Sequence, residues 1–332
     1  MEVQAFPATA PAVLALTTFT VEQPQRRELL AVAFEGGAAG EVSGRLVDAG
    51  TGREEEFPPE AAGAIVLIQR KDVLFADMAR RAQDAGAVAL VVANREPGIF
   101  LATIDPPSSL PAVGIDQGDG EALRELLAGG AVQVTVSIER EVIAHNIIAR
   151  PDSGECRTLS GGHYDTVPWA AGANDNASGS ALVLELARAA SAAGLSGHCF
   201  VLFGAEEPGL LGSAFFVAEL SGEEREALAA YFNYDVVAGD APPALIGSGE
   251  LLARAEALAE QTGVDVAGGS LPENASSDHA SFLDAGIPAL MLTTEFGLIH
   301  TEEDTLANLA PALLEPIATL GFALLQEVGQ GS

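Results

Sequence analysis

Three short strand-like stretches, 145–150, 157–163 and 198–204, bracket a helical stripe, and that alternation admits few folds. Leu182, Leu186 and Ala190 recur every fourth residue, and Leu184 and Ala187 widen the stripe, so 178–195 is predicted as one helix. Residues 229–237 and 288–292 read as further strands, and 251–262 and 305–328 as helices. Pro311 and Pro316 break or shift the start of the last helix. Strands alternating with helices predict an α/β fold: a mixed, mostly parallel sheet covered by helices on both faces. In such sheets ligands gather beyond the carboxyl ends of the strands.

At 332 residues the chain is long for one modest core, and two domains are expected. The stretch from about 20 to 141 has a character of its own. It carries strand-like runs at 64–69, 87–93 and 132–138, helices near 74–86 and 120–128, and Gly and Pro between them. We read 21–141 as a smaller α/β module inserted into a discontinuous catalytic domain, 1–20 plus 142–332. No internal repeat or low-complexity tract is present.

The net charge is −31, with Lys71 the single lysine beside fifteen arginines, which argues against nucleic acid or an anionic membrane as partner. Apolar content of 48% fits a packed core. No apolar run is long enough to span a membrane. Residues 11–21 are apolar, but no basic segment precedes them, so a signal peptide is not supported and the chain as read is expected in the cytoplasm. Cys156 and Cys199 lie in apolar, strand-like stretches and are expected as buried free thiols. Two cysteines cannot form a Cys-rich zinc site.

Glu206 and Glu207 stand together where the 198–204 strand meets a loop. Two adjacent carboxylates at a strand end resist ionising together unless a cation holds them. Other predicted strand ends and the loops after them carry His163 and Asp165, Asp175, Asp235, and the segment His300-Thr-Glu-Glu-Asp304. Singly, each has a plainer reading as a hydrogen-bonded structural residue, a turn or a helix cap. Together they gather two histidines and several acids at one sheet edge, which is costly without metal. Imidazole and carboxylate donors suit zinc. Charge balance favours two Zn²⁺ ions: Asp175, Glu207, Asp235 and a hydroxide neutralise them, His163 and His300 bind as neutral ligands, and Glu206 is left free to take a proton.

The segments Gly-His-Tyr-Asp-Thr-Val (162–167), Gly-Ala-Asn-Asp-Asn-Ala-Ser-Gly (172–179) and Gly-Ala-Glu-Glu-Pro-Gly-Leu-Leu-Gly-Ser (204–213) resemble the co-catalytic di-zinc aminopeptidases and their glutamate-carboxypeptidase relatives. Asn233-Tyr-Asp235, Ser277-Asp-His279 and His300 to Thr305 follow in the family's order, so the likeness spans about 145–305. The inserted module resembles a protease-associated (PA) domain at 64–70, 85–91 and 110–115. The resemblance implies a zinc-exopeptidase fold and two Zn²⁺ per chain. It implies that His163 and Asp235 hold one ion, Glu207 and His300 the other, and that Asp175 bridges them. It makes Glu206 the general base and Asp165 the carboxylate behind His163, with Asp304 in the same role near His300, and it implies a cis peptide between Asp175 and Asn176. The expected reaction is release of N-terminal residues from peptide substrates by a hydroxide held at the two zinc ions.

Relatives carry a helical segment before the first strand, whereas this chain starts at about that strand; with a longer front end, export would be expected. Some members use an arginine just before Ser-Asp-His, where this chain has 274–277, and no tyrosine lies between Asp235 and His300. Two rival readings use the same residues: a carboxypeptidase or acyl-amino-acid hydrolase, and a non-catalytic binding scaffold. The first needs cations for a substrate carboxylate, yet the catalytic half is poor in arginine and has no lysine. The second normally loses ligands or the base, and all six positions are filled. A serine triad at 277–279 is not credible, because adjacent residues rarely converge and no Gly-x-Ser-x-Gly elbow exists. His145 and His198 are read as structural, and His279 is given no ligand role.

Overall fold

The computed structural model describes residues 1–329 apart from Asp152, Ser248 and Asn274. The chain divides into two compact units, Met1–Ala8 with Ile143–Ser332, and Thr9–Val142.

The first unit is built on an eight-stranded sheet. Its four central strands lie in the order His198–Phe203, Thr158–His163, Ala230–Tyr234, Ala289–Thr293, each parallel to the next. Antiparallel strands flank them, Glu141–Ala149 beside His198–Phe203 and Ala244–Gly247 beside Ala289–Thr293. Both faces of the central strands are buried, and every residue of Thr158–His163, Ala230–Tyr234 and Ala289–Thr293 is buried. Phe200, Phe232, Leu290 and Leu292 pack on one side with Leu182 and Leu186 of helix Gly179–Ala192, Leu258 of helix Gly249–Thr262 and Leu320 of helix Leu314–Gly329. Leu159, Val201, Phe203 and Tyr231 pack on the other with Phe216 and Phe282. The two short helices supplying these rings, Leu211–Glu219 and His279–Asp284, are too brief to show a periodic stripe in sequence.

The last helix begins at Leu314, later than the apolar pattern suggests. Pro311 sits in a separate 3-10 turn, and Pro316 falls in the helix's first turn, where its missing N–H has no acceptor to lose. The cysteines are also not free: Cys156 and Cys199 form a disulfide, with Cα atoms 5.3 Å apart. Parallel register places Leu159 opposite Cys199, and the turn before Thr158 brings Cys156 alongside.

The second unit holds its own eight-stranded sheet, with the parallel strands Ile65–Gln69, Ala89–Ala93 and Ala112–Ile115 near one end. It begins earlier than the composition shift at residue 21. Strand Leu16–Gln23 pairs antiparallel with Gln133–Glu139, and Phe19 and Val21 are buried in this unit's core. Among the described residues, no helix is long and apolar enough to cross a membrane.

Candidate metal centre

The four central strands deliver their following residues to one edge of the sheet. His163 ends the first strand, Glu206 and Glu207 follow the second, Asp235 follows the third, and His300 lies in the loop after the fourth. Asp175 comes from the irregular turn Ala173–Ser178 that leads into helix Gly179–Ala192, and its peptide bond to Asn176 is cis. All the proposed donors therefore share one place, reached from five separate segments.

Their distances are those of a shared cation. His163 Nε2 lies 3.1 Å from Asp175 Oδ1 and 3.2 Å from Asp235 Oδ1. His300 Nε2 lies 3.0 Å from Asp175 Oδ2 and 3.1 Å from Glu207 Oε2. Asp175 thus faces one histidine with each oxygen, the arrangement a bridging carboxylate needs. Donor atoms of His163, Asp175 and Glu207 lie within 4.8 Å of one another, as do those of His163, Glu206 and Asp235. Distance alone would let Glu206 serve as a ligand too.

The donor set also passes a chemical test for zinc. His163 Nδ1 is 3.0 Å from the backbone carbonyl of Asp165, so that nitrogen carries a proton, and Nε2, which faces two carboxylates, must hold either a second proton or a metal ion. Lone pairs facing carboxylates repel unless a cation lies between them. Glu207 Oε1 is buried with no hydrogen-bond partner, an atom that a metal would satisfy.

With the protein's own atoms alone, the cluster compensates by holding protons. Burial disfavours a charged His163, but the carboxylates of Asp235 and Glu206 outweigh it and hold the ring's pKa well above the usual value. Hydrogen bonds to Asp175 and Glu207 raise His300 to about 10. Burial opposes ionisation of Asp175, yet its bonds to His163 and His300 prevail and lower its pKa. Burial pushes Glu207 up, partly offset by His300. Glu206 is pushed well up by burial; His163 offsets part of this, while Asp278, Asp235 and Glu207 add to it.

Supporting contacts differ in part from those expected. The Asp165 carboxylate is 3.7 Å from His163 Nδ1, and the hydrogen bond to that ring comes from its backbone carbonyl instead. The carboxylate accepts the backbone N–H groups of Glu206 and Glu207, at 3.1 and 3.3 Å, and so fixes the turn that presents both. Asp304 does not touch His300; its oxygens accept from the backbone N–H of Asn174 and Asp175, at 2.7 and 3.1 Å. Ser277 Oγ donates to Asp235 Oδ2 at 2.6 Å and accepts from Asn233 Nδ2 at 2.7 Å. Trp169, which lies between the 162–167 and 172–179 segments, donates its indole N–H to the His300 carbonyl at 3.0 Å. No motif pointed to that contact. Tyr164 turns away, donating its hydroxyl to the His145 carbonyl. His145 is exposed, whereas His198 is buried and hydrogen-bonded to Thr158. His279 is buried at the start of its helix.

A cavity of about 350 Å³ opens on the cluster, bounded by Asp175, Glu206, Glu207, Asp235 and His300. Leu210, Leu271, Pro272, Met291, Phe296 and Ile299 form its apolar wall. Asn274, in the stretch where some relatives carry an arginine, lies outside the described residues.

Residues 146–324 match the model of Peptidase family M28, and residues 42–123 match that of the PA domain. The chain belongs to peptidase family M28. Aminopeptidase YwaD of Bacillus subtilis (strain 168) is 31% identical to this M28 chain over 329 residues, which cover 91% of this chain and 71% of YwaD. Leucine aminopeptidase 2 of Trichophyton equinum is 35% identical over 190 residues, covering 55% of this M28 chain and 38% of the fungal one. The structure of BSAP, a zinc aminopeptidase from Bacillus subtilis, aligns with a TM-score of 0.64 at 28% identity, covering 98% of this chain and 84% of BSAP. The aminopeptidase from Aneurinibacillus sp. strain AM-1 aligns with a TM-score of 0.55 at 29% identity, covering 98% and 84%.

Proposed function

We propose that this M28 chain is a zinc-dependent aminopeptidase holding two zinc ions and releasing N-terminal residues from peptides. The observation that carries the reading is the Asp175 carboxylate set between two histidines, each of which also faces a second carboxylate. His163 and Asp235 would hold one ion, His300 and Glu207 the other, and Asp175 both. Zinc bound there polarises a scissile carbonyl and makes water acidic enough to ionise near neutral pH.

The remaining steps belong to the chain's own groups. Glu206, buried beside the donors, accepts a proton from the attacking water and returns it to the leaving amine nitrogen. Asp165 positions Glu206 by fixing its backbone N–H. The acid-lined cavity attracts the substrate's α-ammonium, and its apolar wall accommodates an apolar first side chain.

The carboxypeptidase alternative is disfavoured by the cavity itself, because no arginine or lysine lies among its described lining residues to receive a substrate carboxylate. Hydrolysis of aminoacyl anilides tests the reading. Activity should vanish with a chelator, return with zinc, and be absent on the same substrates with acylated N-termini. Equal cleavage of the blocked substrates would exclude an aminopeptidase.

A further inference from the structure

The candidate donors of the metal cluster come from segments far apart in sequence, and one buried side chain ties two of those segments together and packs against a third. Asn176 Nδ2 donates to the carbonyl of Tyr234 at 2.9 Å. Its Oδ1 accepts the N–H of Gly179 at 2.9 Å and that of Val236 at 3.4 Å. Tyr234 and Val236 are the residues on either side of Asp235, so one amide grips the backbone before and after that carboxylate. Asn176 also follows Asp175 directly. Gly162, which precedes His163, packs against the same amide without bonding to it: a Cβ added there would stand 3.1 Å from Asn176 Nδ2 and would collide with the Tyr234 carbonyl. A Cβ on Gly179 would collide with the Tyr234 carbonyl and the Asn176 amide alike. The two glycines thus leave a slot, and the Asn176 side chain fills it with 1% of the residue exposed.

Few side chains could replace it. The slot needs a donor on one side and an acceptor on the other, at the reach of a single methylene. Aspartate lacks the donor, alanine lacks both groups, and glutamine is longer than the space between the glycines. The link is short enough to matter at the cluster, where His163 Nε2 stands 3.1 Å from Asp175 and 3.2 Å from Asp235.

We propose that Asn176 is a positioning residue of the metal centre: its amide ties the backbone of its own turn, which carries Asp175, to the backbone on either side of Asp235, and so sets the separation of these two carboxylates. This rests on the zinc reading of the site. Partners behind metal ligands typically change metal affinity or activity about 10- to 100-fold when removed, because the ligands lose their orientation.

The test uses the full chain as wild type, Asn176→Ala and Asn176→Asp. Zinc affinity is measured by competition with a chromophoric chelator, the cobalt(II)-substituted absorption spectrum is recorded, and the melting temperature is taken with and without zinc. Asn176→Asp preserves shape and keeps the acceptor but turns an oxygen toward the Tyr234 carbonyl, so it breaks that bond without leaving a cavity and serves if the alanine variant does not fold. The expected result is a zinc affinity about 10- to 100-fold weaker in the folded variant, an altered cobalt spectrum, and a smaller rise in melting temperature on adding zinc. Variants with wild-type zinc affinity and spectrum, and with melting temperatures lowered equally in both forms, would show Asn176 to be ordinary core and overturn the proposal. A wild-type protein whose melting temperature and spectrum ignore zinc and cobalt would overturn the metal reading itself, and this inference with it.

Discussion

Reduction of the Cys156–Cys199 disulfide is expected to cost the catalytic unit stability while leaving its metal centre working. The bridge spans a sequence separation of 43 residues. In the chain-entropy account, closing a loop of that length in the unfolded state is worth about 4 kcal/mol at 25 °C. The loop contains strand Thr158–His163, the Asp175 turn and helix Gly179–Ala192, so the unfolded chain gains freedom in the segment that supplies two of the five donors. The native state loses little, because the two bridged strands stay in register along six residue pairs from Thr158–His198 to His163–Phe203. The bridge also lies at the start of those strands, and the donors lie at or beyond their ends. With a urea slope of ~2–3 kcal/mol/M, the unfolding midpoint should fall by about 1.3–2 M. The assay compares oxidised and reduced wild type in urea, followed by far-UV circular dichroism, with anilide hydrolysis measured in native buffer. An unchanged midpoint would refute the loop-entropy reasoning. Activity lost on reduction without unfolding would refute the claim that register alone preserves the site.

Three further outcomes concern the cluster. Glu206→Gln should retain zinc and lower kcat by roughly 10²- to 10⁴-fold; near-wild-type turnover would show that another group moves the proton. Zinc binding should release protons, since His163 is held protonated well above its ordinary pKa and His300 up to about 10 until metal displaces those protons. Apparent zinc affinity should therefore fall as pH is lowered from 8 to 6, by roughly tenfold per pH unit for each proton displaced. Trp169, the single tryptophan, reports binding by fluorescence through its bond to the His300 carbonyl; a pH-independent affinity would count against both histidines as ligands. The same shifts fix a sign for the metal-free protein. Raised histidines and raised glutamates each contribute stability below their unfolded pKa values and lose it as pH climbs through the folded ones. The metal-free form should therefore weaken with rising pH.

The central sheet was legible because its strands are buried on both faces and read as strand-like stretches. The cluster itself was legible because His, Asp and Glu at successive strand ends have no cheap structural explanation as a group, and the fold brings them to one sheet edge. What the sequence hid has physical reasons as well. Helices of six to nine residues, such as His279–Asp284 and Leu211–Glu219, offer too few turns for a stripe. The disulfide depended on parallel register, which pairs residues distant in sequence and cannot be read from either strand alone. Asp165 and Asp304 were sought behind histidines, yet both serve backbone N–H groups, a use that any local sequence pattern leaves silent.

The deepest reason lies in the backbone of the site. Among the described residues, four non-glycine residues have a left-handed φ: Ala205 at 56°, Leu210 at 59°, Val236 at 55° and His300 at 57°. Each belongs to this centre. Ala205 precedes Glu206, Leu210 lines the cavity, Val236 follows Asp235, and His300 is itself a donor. Such conformations cost of order 1–3 kcal/mol apiece, and a β-branched residue such as Val236 tolerates them least. They persist because other bonds overdetermine them. The Val236 carbonyl accepts from the Thr294 N–H at 2.8 Å and its hydroxyl at 2.6 Å, and the Val236 N–H meets Asn176. Glycine would relieve the strain at every one of these positions and would also have marked them in the sequence. Side chains stand there instead, so the turns that aim Glu206, Asp235 and His300 are set by tertiary hydrogen bonds rather than by local preference, and the rigidity of the centre comes from the packing that forces them.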